Sequence, residues 1–176
     1  MAGTIRFTPT EEDYVAALRL HFVRGVQAHQ FWGRLGLVVV TVAVVATGAI
    51  WALGDDLFNA GLSAVISALA GCACLLLIIG GNFMLLPRRS RRLFRQQKSL
   101  HHETRFAWSD SDGRWTSERG NTHTRWDEYY RSTEGGSTIL LYLNGQLFQF
   151  LPHRAFDPAQ IEDLRATLVS AGVQAR

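Results

Sequence analysis

The 176-residue sequence has only two cysteines, Cys72 and Cys74, and both stand in an uncharged apolar run. Side chains two positions apart on a helix point in widely different directions, so this pair can neither share a metal ion nor close an unstrained disulfide. The sequence also lacks a G-x-S-x-G nucleophile elbow and a glycine-rich phosphate loop. We therefore predict no catalytic residue, no cofactor and no metal site.

Charged side chains are missing from two long apolar stretches, residues 35–53 and 57–86, and the link Gly54-Asp55-Asp56 separates them. A helix of about 19 residues spans about 28 Å, close to the hydrocarbon thickness of a bilayer. We predict a transmembrane hairpin over residues 35–86, with spans at about 35–53 and 61–86. The first run is too long for a signal-peptide core, so we expect a retained anchor. Without ionisable groups in the spans, an ion or proton pathway is not expected.

Basic residues flank the hairpin and are missing from its turn. Arg19, Arg24 and Arg34 precede the first span. The juxtamembrane segment 87–98 contains no acid and six basic residues, namely Arg88, Arg89, Arg91, Arg92, Arg95 and Lys98. The positive-inside rule then predicts that both termini are cytoplasmic. The segment is interpreted as a topology determinant at the membrane surface or, more specifically, as a site for anionic lipid headgroups.

Small residues recur every four positions on the second apolar stretch. One line consists of Ala60, Ala64, Ala68 and Cys72, and the adjacent line of Ser63, Ser67 and Gly71. Such a helix-packing seam allows close approach of two helices in lipid. The seam packs either against the first span of the same chain or against a second copy or another membrane protein.

In residues 1–34 the sequence predicts a short strand at 4–8 and an amphipathic helix. Thr10 and Asp13 resemble a capping box at the start of that helix. The apolar face of that helix, which includes Tyr14, Leu18 and Phe22, either packs on the cytoplasmic domain or lies at the membrane surface. His21 is expected to face solvent or an interface.

Residues 99–176 predict a small antiparallel β domain closed by a helix. Strands are expected at 104–108, 114–117, 122–126, 138–143 and 146–151, the last two joined by a two-residue Asn144-Gly145 turn with positive φ at both positions. Asp157 caps the helix and Gly172 ends it. The class is an α+β membrane protein whose domain resembles the pleckstrin-homology-like (PH-like) plan, and a simple α+β sandwich is the alternative.

Eight arginines against ten acids in residues 99–176 argue against a nucleic-acid partner. A metal site would require His101, His102, His123 and His153 to converge, which their spacing does not favour. A cleft that joined His123, His153 and Asp127 would indicate an enzyme; without one, we expect none.

Several short motifs occur in order along the chain: Ile5-Arg6-Phe7, Thr10-Glu11-Glu12-Asp13-Tyr14, Arg125-Trp126-Asp127-Glu128-Tyr129, Leu141-Tyr142-Leu143, Phe148 and Leu151-Pro152-His153-Arg154-Ala155-Phe156. Their order resembles the YcxB-like family of bacterial membrane proteins. The resemblance implies a bacterial cytoplasmic membrane and a small cytoplasmic sheet domain, and it implies no reaction.

The sequence thus favours a non-enzymatic interaction module anchored in the bacterial inner membrane. Its candidate partners are the bilayer, anionic headgroups, a second copy of the chain or an unidentified membrane or cytoplasmic protein. A structural, oligomerising membrane protein and a toxin-immunity factor are the alternatives.

Overall fold

The computed structural model describes residues 3–54 and 57–175. The chain forms two compact units, one made of Met1–His21 with Leu86–Arg176 and the other of Phe22–Leu85. The first unit, called the β domain below, contains two antiparallel sheets. The first sheet has the order β1 (Gly3–Phe7), β2 (Thr104–Trp108), β3 (Asp112–Ser117), β4 (Gly120–Arg125), and the second the order β5 (Arg131–Gly135), β6 (Thr138–Tyr142), β7 (Phe148–Pro152).

Strand β1 pairs with β2 although the two long apolar stretches separate them in sequence. Ile5 lies opposite Phe106 and Gly3 opposite Trp108. Ile5 and Phe7 are 4% and 6% exposed because they point into the domain core. The N-terminal strand, predicted to belong to a separate segment 1–34, is therefore part of the same sheet.

The main core joins both sheets and the C-terminal helix α4 (Pro158–Ser170). Its buried members include Ile5, Phe7, Phe106, Trp108, Trp126, Leu141, Leu151, Leu164 and Leu168. Helix α4 begins with the predicted capping box of Asp157 and Gln160. It ends before Gly172, whose φ of 76° is the left-handed conformation expected there.

Every residue of β6 is buried, because both faces of this strand are covered. Ile139 and Leu141 belong to the main core, whereas Leu140 and Tyr142 pack against Ala17 of helix α1 (Glu11–Gln27) on the other face. The apolar face of α1 therefore packs on the β domain, the first of the two alternatives. A strand covered on both faces reads as a continuous apolar run instead of an alternation.

The predicted Asn144-Gly145 turn is wrong in its geometry. Tyr142 pairs with Phe148, and the backbone of Leu143 donates to the carbonyl of Leu147, so the connection is longer than two residues. No non-glycine residue of the described chain has positive φ, and Gly145 does not have it either. The Asn144 carboxamide oxygen accepts hydrogen bonds from the backbone of Gln146 and Leu147, and these bonds hold a wider turn.

The second unit contains α2 (His29–Ala52) and most of α3 (Leu57–Gln96). Both helices are long and apolar enough to cross a membrane. Many of their apolar side chains are exposed, for example Val44 at 65% and Leu77 at 76%. The predicted acidic turn residues Asp55 and Asp56 lie outside the described residues.

Candidate anion-binding face at the end of helix α3

The basic segment continues helix α3 through Pro87 to Gln96. Ser90 and Phe94 lie on the buried side of this last part, with 1% and 7% exposure. The Phe94 ring contacts Tyr14 of α1 and His101, and the Ser90 hydroxyl donates to the carbonyl of Leu86 at 2.7 Å. The ring contacts of Phe94 fix which side of this last part of the helix packs on the rest of the β domain.

Four arginines occupy the opposite side of the helix, and we call them the arginine face: Arg88, Arg91, Arg92 and Arg95. Their spacing of three and four residues places them within an arc of about 100° on the helix. All four are exposed and, with Gln96, they line a groove of about 400 Å³. Arg89 is exposed beside the face, and Lys98 is exposed just after the helix, at the start of a short 3-10 turn.

One acid of α1 contacts the arginine face. The Arg95 guanidinium donates from Nε to Glu11 Oε1 at 2.6 Å. This hydrogen bond, together with the charges of Arg95 and Arg91, holds the pKa of Glu11 below its usual value. The same hydrogen bond and the negative charge of Glu11 raise the pKa of Arg95. Across residues 3–54 and 57–175, Arg88, Arg91 and Arg92 form no ion pair, so the face keeps a net positive charge.

The helix-packing seam is partly covered within the single chain. Ala64 and Ala68, with Ser63, Ser67 and Gly71, form the half-covered stripe of α3, whereas Cys72 is exposed. The side chain of Ala60 lies outside the described part of the structure. Whether this line packs within the chain or against a second copy stays a prediction.

Histidines and carboxylates of the β domain form separate local clusters. Asp112 accepts hydrogen bonds from Ser109 at 2.8 Å and from His123 at 2.7 Å, which hold its pKa below the usual value. The Ser109 hydroxyl thus bonds the Asp112 carboxylate and not the His123 imidazole. Asp127 pairs with Arg125.

A second cluster surrounds Glu134 and contains His153. Glu134 accepts two hydrogen bonds from Arg165, which keep its pKa low, and His153 Nε2 lies 3.1 Å from the same carboxylate. His123 and Asp127 line one shallow groove, but His153 is not among the residues that line it. Over the described part of the chain, no group of three or more histidines, cysteines and acids could hold a metal ion.

His101 and His102 also have separate partners. His101 contacts the carbonyl of Phe94, and His102 lies 2.7 Å from Glu118. His21, expected to face solvent or an interface, is half-buried on the β domain, where its ring lies 5.0 Å from that of Phe148. Its Nδ1 is 3.0 Å from the Tyr142 hydroxyl.

A salt bridge that sequence reasoning missed joins the N-terminal and C-terminal parts of the β domain. Arg154 donates to both carboxylate oxygens of Asp13, at 3.1 and 2.6 Å, and to the carbonyl of Thr8 at 2.7 Å. Asp13 also accepts from the backbone of Thr10, which completes the predicted cap of α1. The only sequence signal was that Asp13 and Arg154 both lie in motifs of the family resemblance.

Residues 108–168 match the family model of the YcxB-like protein, from the end of β2 to within α4. The resemblance is thereby confirmed over the second half of the β domain. No curated protein and no solved structure matches the chain. The α+β class is confirmed by the helices and sheets described above, whereas the PH-like plan stays a prediction.

Proposed function

We propose that this membrane protein with a YcxB-like domain is a non-enzymatic interaction module of the bacterial cytoplasmic membrane. Its two spans tether the β domain to the inner leaflet, where the domain binds a protein or lipid partner. The pairing of β1 with β2 is the main observation that supports the proposal.

Strand β1 precedes both candidate spans and β2 follows them, yet the strands are hydrogen-bonded neighbours. Two strands of one sheet lie on the same side of a bilayer, so an even number of crossings must separate them. Helices α2 and α3 supply two.

The exposure of both helices supports lipid as their surroundings. A core helix of a soluble protein has most of its side chains covered. In contrast, the most apolar parts of α2 and α3 have no buried residue. Open apolar surface of this extent is typical of membrane contact. The excess of arginines beside both spans favours a cytoplasmic β domain.

The polar clusters of the β domain support binding over catalysis. Asp13, Glu134 and Asp112 each have a bonded basic partner within the domain. The arginine partners hold Asp13 and Glu134 in the ionised form, and carboxylates paired in this way stabilise the fold.

In-cell photocrosslinking of the full chain tests the proposal. A crosslinking amino acid is placed at Tyr130, Leu147 or Val169, which are exposed apolar positions of the β domain at 58%, 57% and 69%. At least one site should give a discrete product with a protein or lipid, whereas the buried control site Trp126 should give none.

A fluorescent-protein fusion after the C-terminus should be fluorescent, and an alkaline phosphatase fusion there should be inactive. Active phosphatase would contradict the orientation. The binding role would be refuted by the absence of every crosslinked product together with the absence of lipid preference.

A further inference from the structure

We infer that the arginine face of α3 binds the phosphate groups of anionic phospholipids in the cytoplasmic leaflet, an inference that rests on the proposed membrane anchoring. Two observations favour a lipid as the ligand: the positive charge of the face and its position directly after the second apolar stretch.

The face is held outward by the packing behind it. Ser90 and Phe94 are buried on the opposite side of the helix, so rotation of the arginines into the β domain would expose them. Arg95 is additionally oriented by Glu11. A face fixed in this way binds with a smaller loss of conformational entropy than free side chains would.

The chemistry of the face suits phosphate. Guanidinium groups present two parallel donors that match phosphate oxygens, and lysine has no such fork. Arg88, Arg91 and Arg92 form no ion pair within the described residues, so their charge is available to a ligand.

The position of the face matches the headgroup layer. Leu86 is the last residue of the apolar stretch, and Arg88 and Arg92 follow two and six residues later. Along a helix, these positions lie about 3 and 9 Å beyond Leu86. Each polar layer of a bilayer is roughly 5–7 Å thick, so the face begins in this layer and extends past its outer edge.

Native mass spectrometry of the intact detergent-solubilised protein tests the inference. Phosphatidylglycerol and phosphatidylcholine of equal chain length are added separately, and bound lipid is counted. The wild-type protein should prefer phosphatidylglycerol. Each arginine should contribute on the order of fivefold at low salt, so the triple variant Arg88→Gln, Arg91→Gln, Arg92→Gln should lose more than tenfold of the preference.

A matched control removes the same charge elsewhere. Arg105→Gln, Arg114→Gln, Arg119→Gln changes three exposed arginines of the first sheet and its β3–β4 turn, and it should keep the preference. The corresponding Arg-to-Lys triple variant on α3 keeps the charge and should retain part of the preference, which separates loss of binding from loss of folding.

Three outcomes would overturn the inference. One is equal binding of both lipids by wild-type protein that resists carbonate extraction, and in that case the membrane anchoring stands. Another is an equal loss in the control variant, which would indicate a nonspecific charge effect. Extraction of the wild-type chain by carbonate would overturn both the inference and the proposed function.

Discussion

Replacing Arg154 by glutamine should loosen the N-terminal part of the β domain from the rest. In the structure, Arg154 makes two hydrogen bonds to Asp13 and one to the carbonyl of Thr8. The Asp13 side chain is 10% exposed and that of Arg154 49%. The pair is thus intermediate between an exposed ion pair, at about 0–1 kcal/mol, and a buried one whose breakage costs about 3–5 kcal/mol.

We expect the free energy of opening of this region to fall by about 2 kcal/mol, the usual cost of losing a hydrogen bond to a charged group. Hydrogen exchange of the full-length protein measures this directly, because amides of β1 and the start of α1 should exchange about 30-fold faster. Arg119→Gln, in the exposed β3–β4 turn, is the matched control and should change little.

The effect should depend on pH with a definite sign. Burial alone would raise the pKa of Asp13, but hydrogen bonds from Arg154 and Thr10 bring it below its usual value. A carboxyl with a lowered folded-state pKa stabilises the fold above its unfolded pKa of about 3.9, and this contribution is lost as the pH falls through the folded pKa. The difference between wild type and Asp13→Asn should therefore be full at pH 7 and shrink below about pH 4.

A double-mutant cycle decides whether the contact itself is responsible. Asp13→Asn combined with Arg154→Gln should cost about as much as either single change, which gives a coupling energy of about 2 kcal/mol in magnitude. Strictly additive costs, or a difference between wild type and Asp13→Asn that stays constant from pH 7 to pH 3, would refute the proposed role of the pair.

Four further changes have clear expected outcomes. Leu164→Ala, in the fully buried stripe of α4, should lower the free energy of unfolding by about 2–5 kcal/mol in a thermal or denaturant melt. Gly145→Ala should change it by less than about 0.5 kcal/mol, since Gly145 does not have positive φ and has open space around its Cα; a loss above about 1 kcal/mol would favour the two-residue turn instead. Deletion of residues 1–8 should abolish the cooperative tryptophan-fluorescence melt, because Ile5 and Phe7 each contribute about 1.5–3 kcal/mol of burial. Ala64→Leu with Ala68→Leu should leave the particle size in detergent unchanged if the seam packs within the chain, and a shift to a smaller particle would support the oligomerising alternative.

Local signals in the sequence were sufficient for the elements that depend on local interactions. The length of an uncharged run indicates a membrane-spanning helix, because a helix needs about 20 residues to cross a bilayer. The cap of α4 could be predicted because Asp157 and Gln160 bond to backbone groups within three residues of themselves. Strand β2 has the predicted bounds 104–108, since its pattern alternates between buried and exposed faces.

Contacts between distant parts of the chain could not be predicted in the same way. Nothing local in residues 3–7 identifies β2 as a partner, and nothing in residues 138–142 indicates that α1 covers the second face of β6. In both cases a partner outside the local pattern determines the conformation. The Asn144 turn was wrong for a different reason: the side chain of Asn144 satisfies two backbone donors within three residues, and these local bonds hold a wider connection than the Asn-Gly pair predicts.

The candidate site combines both kinds of information. The three- and four-residue spacing of the arginines predicts a common helix face from sequence alone. Which side of that helix faces outward depends on the burial of Ser90 and Phe94, and hence on the contact with Tyr14 from the other end of the chain.

The pairing of β1 with β2 also changes where a functional fragment must begin. A fragment of residues 99–176 would lack Ile5 and Phe7, whose side chains fill the core beside Phe106 and Trp108. It would also leave Leu140 and Tyr142 without the cover that Ala17 provides. Apolar surface uncovered in this way binds partners nonspecifically, so a positive result from such a fragment would not distinguish recognition by the domain from association of an incomplete core. The full chain in a membrane or detergent is therefore the form in which partner binding is informative.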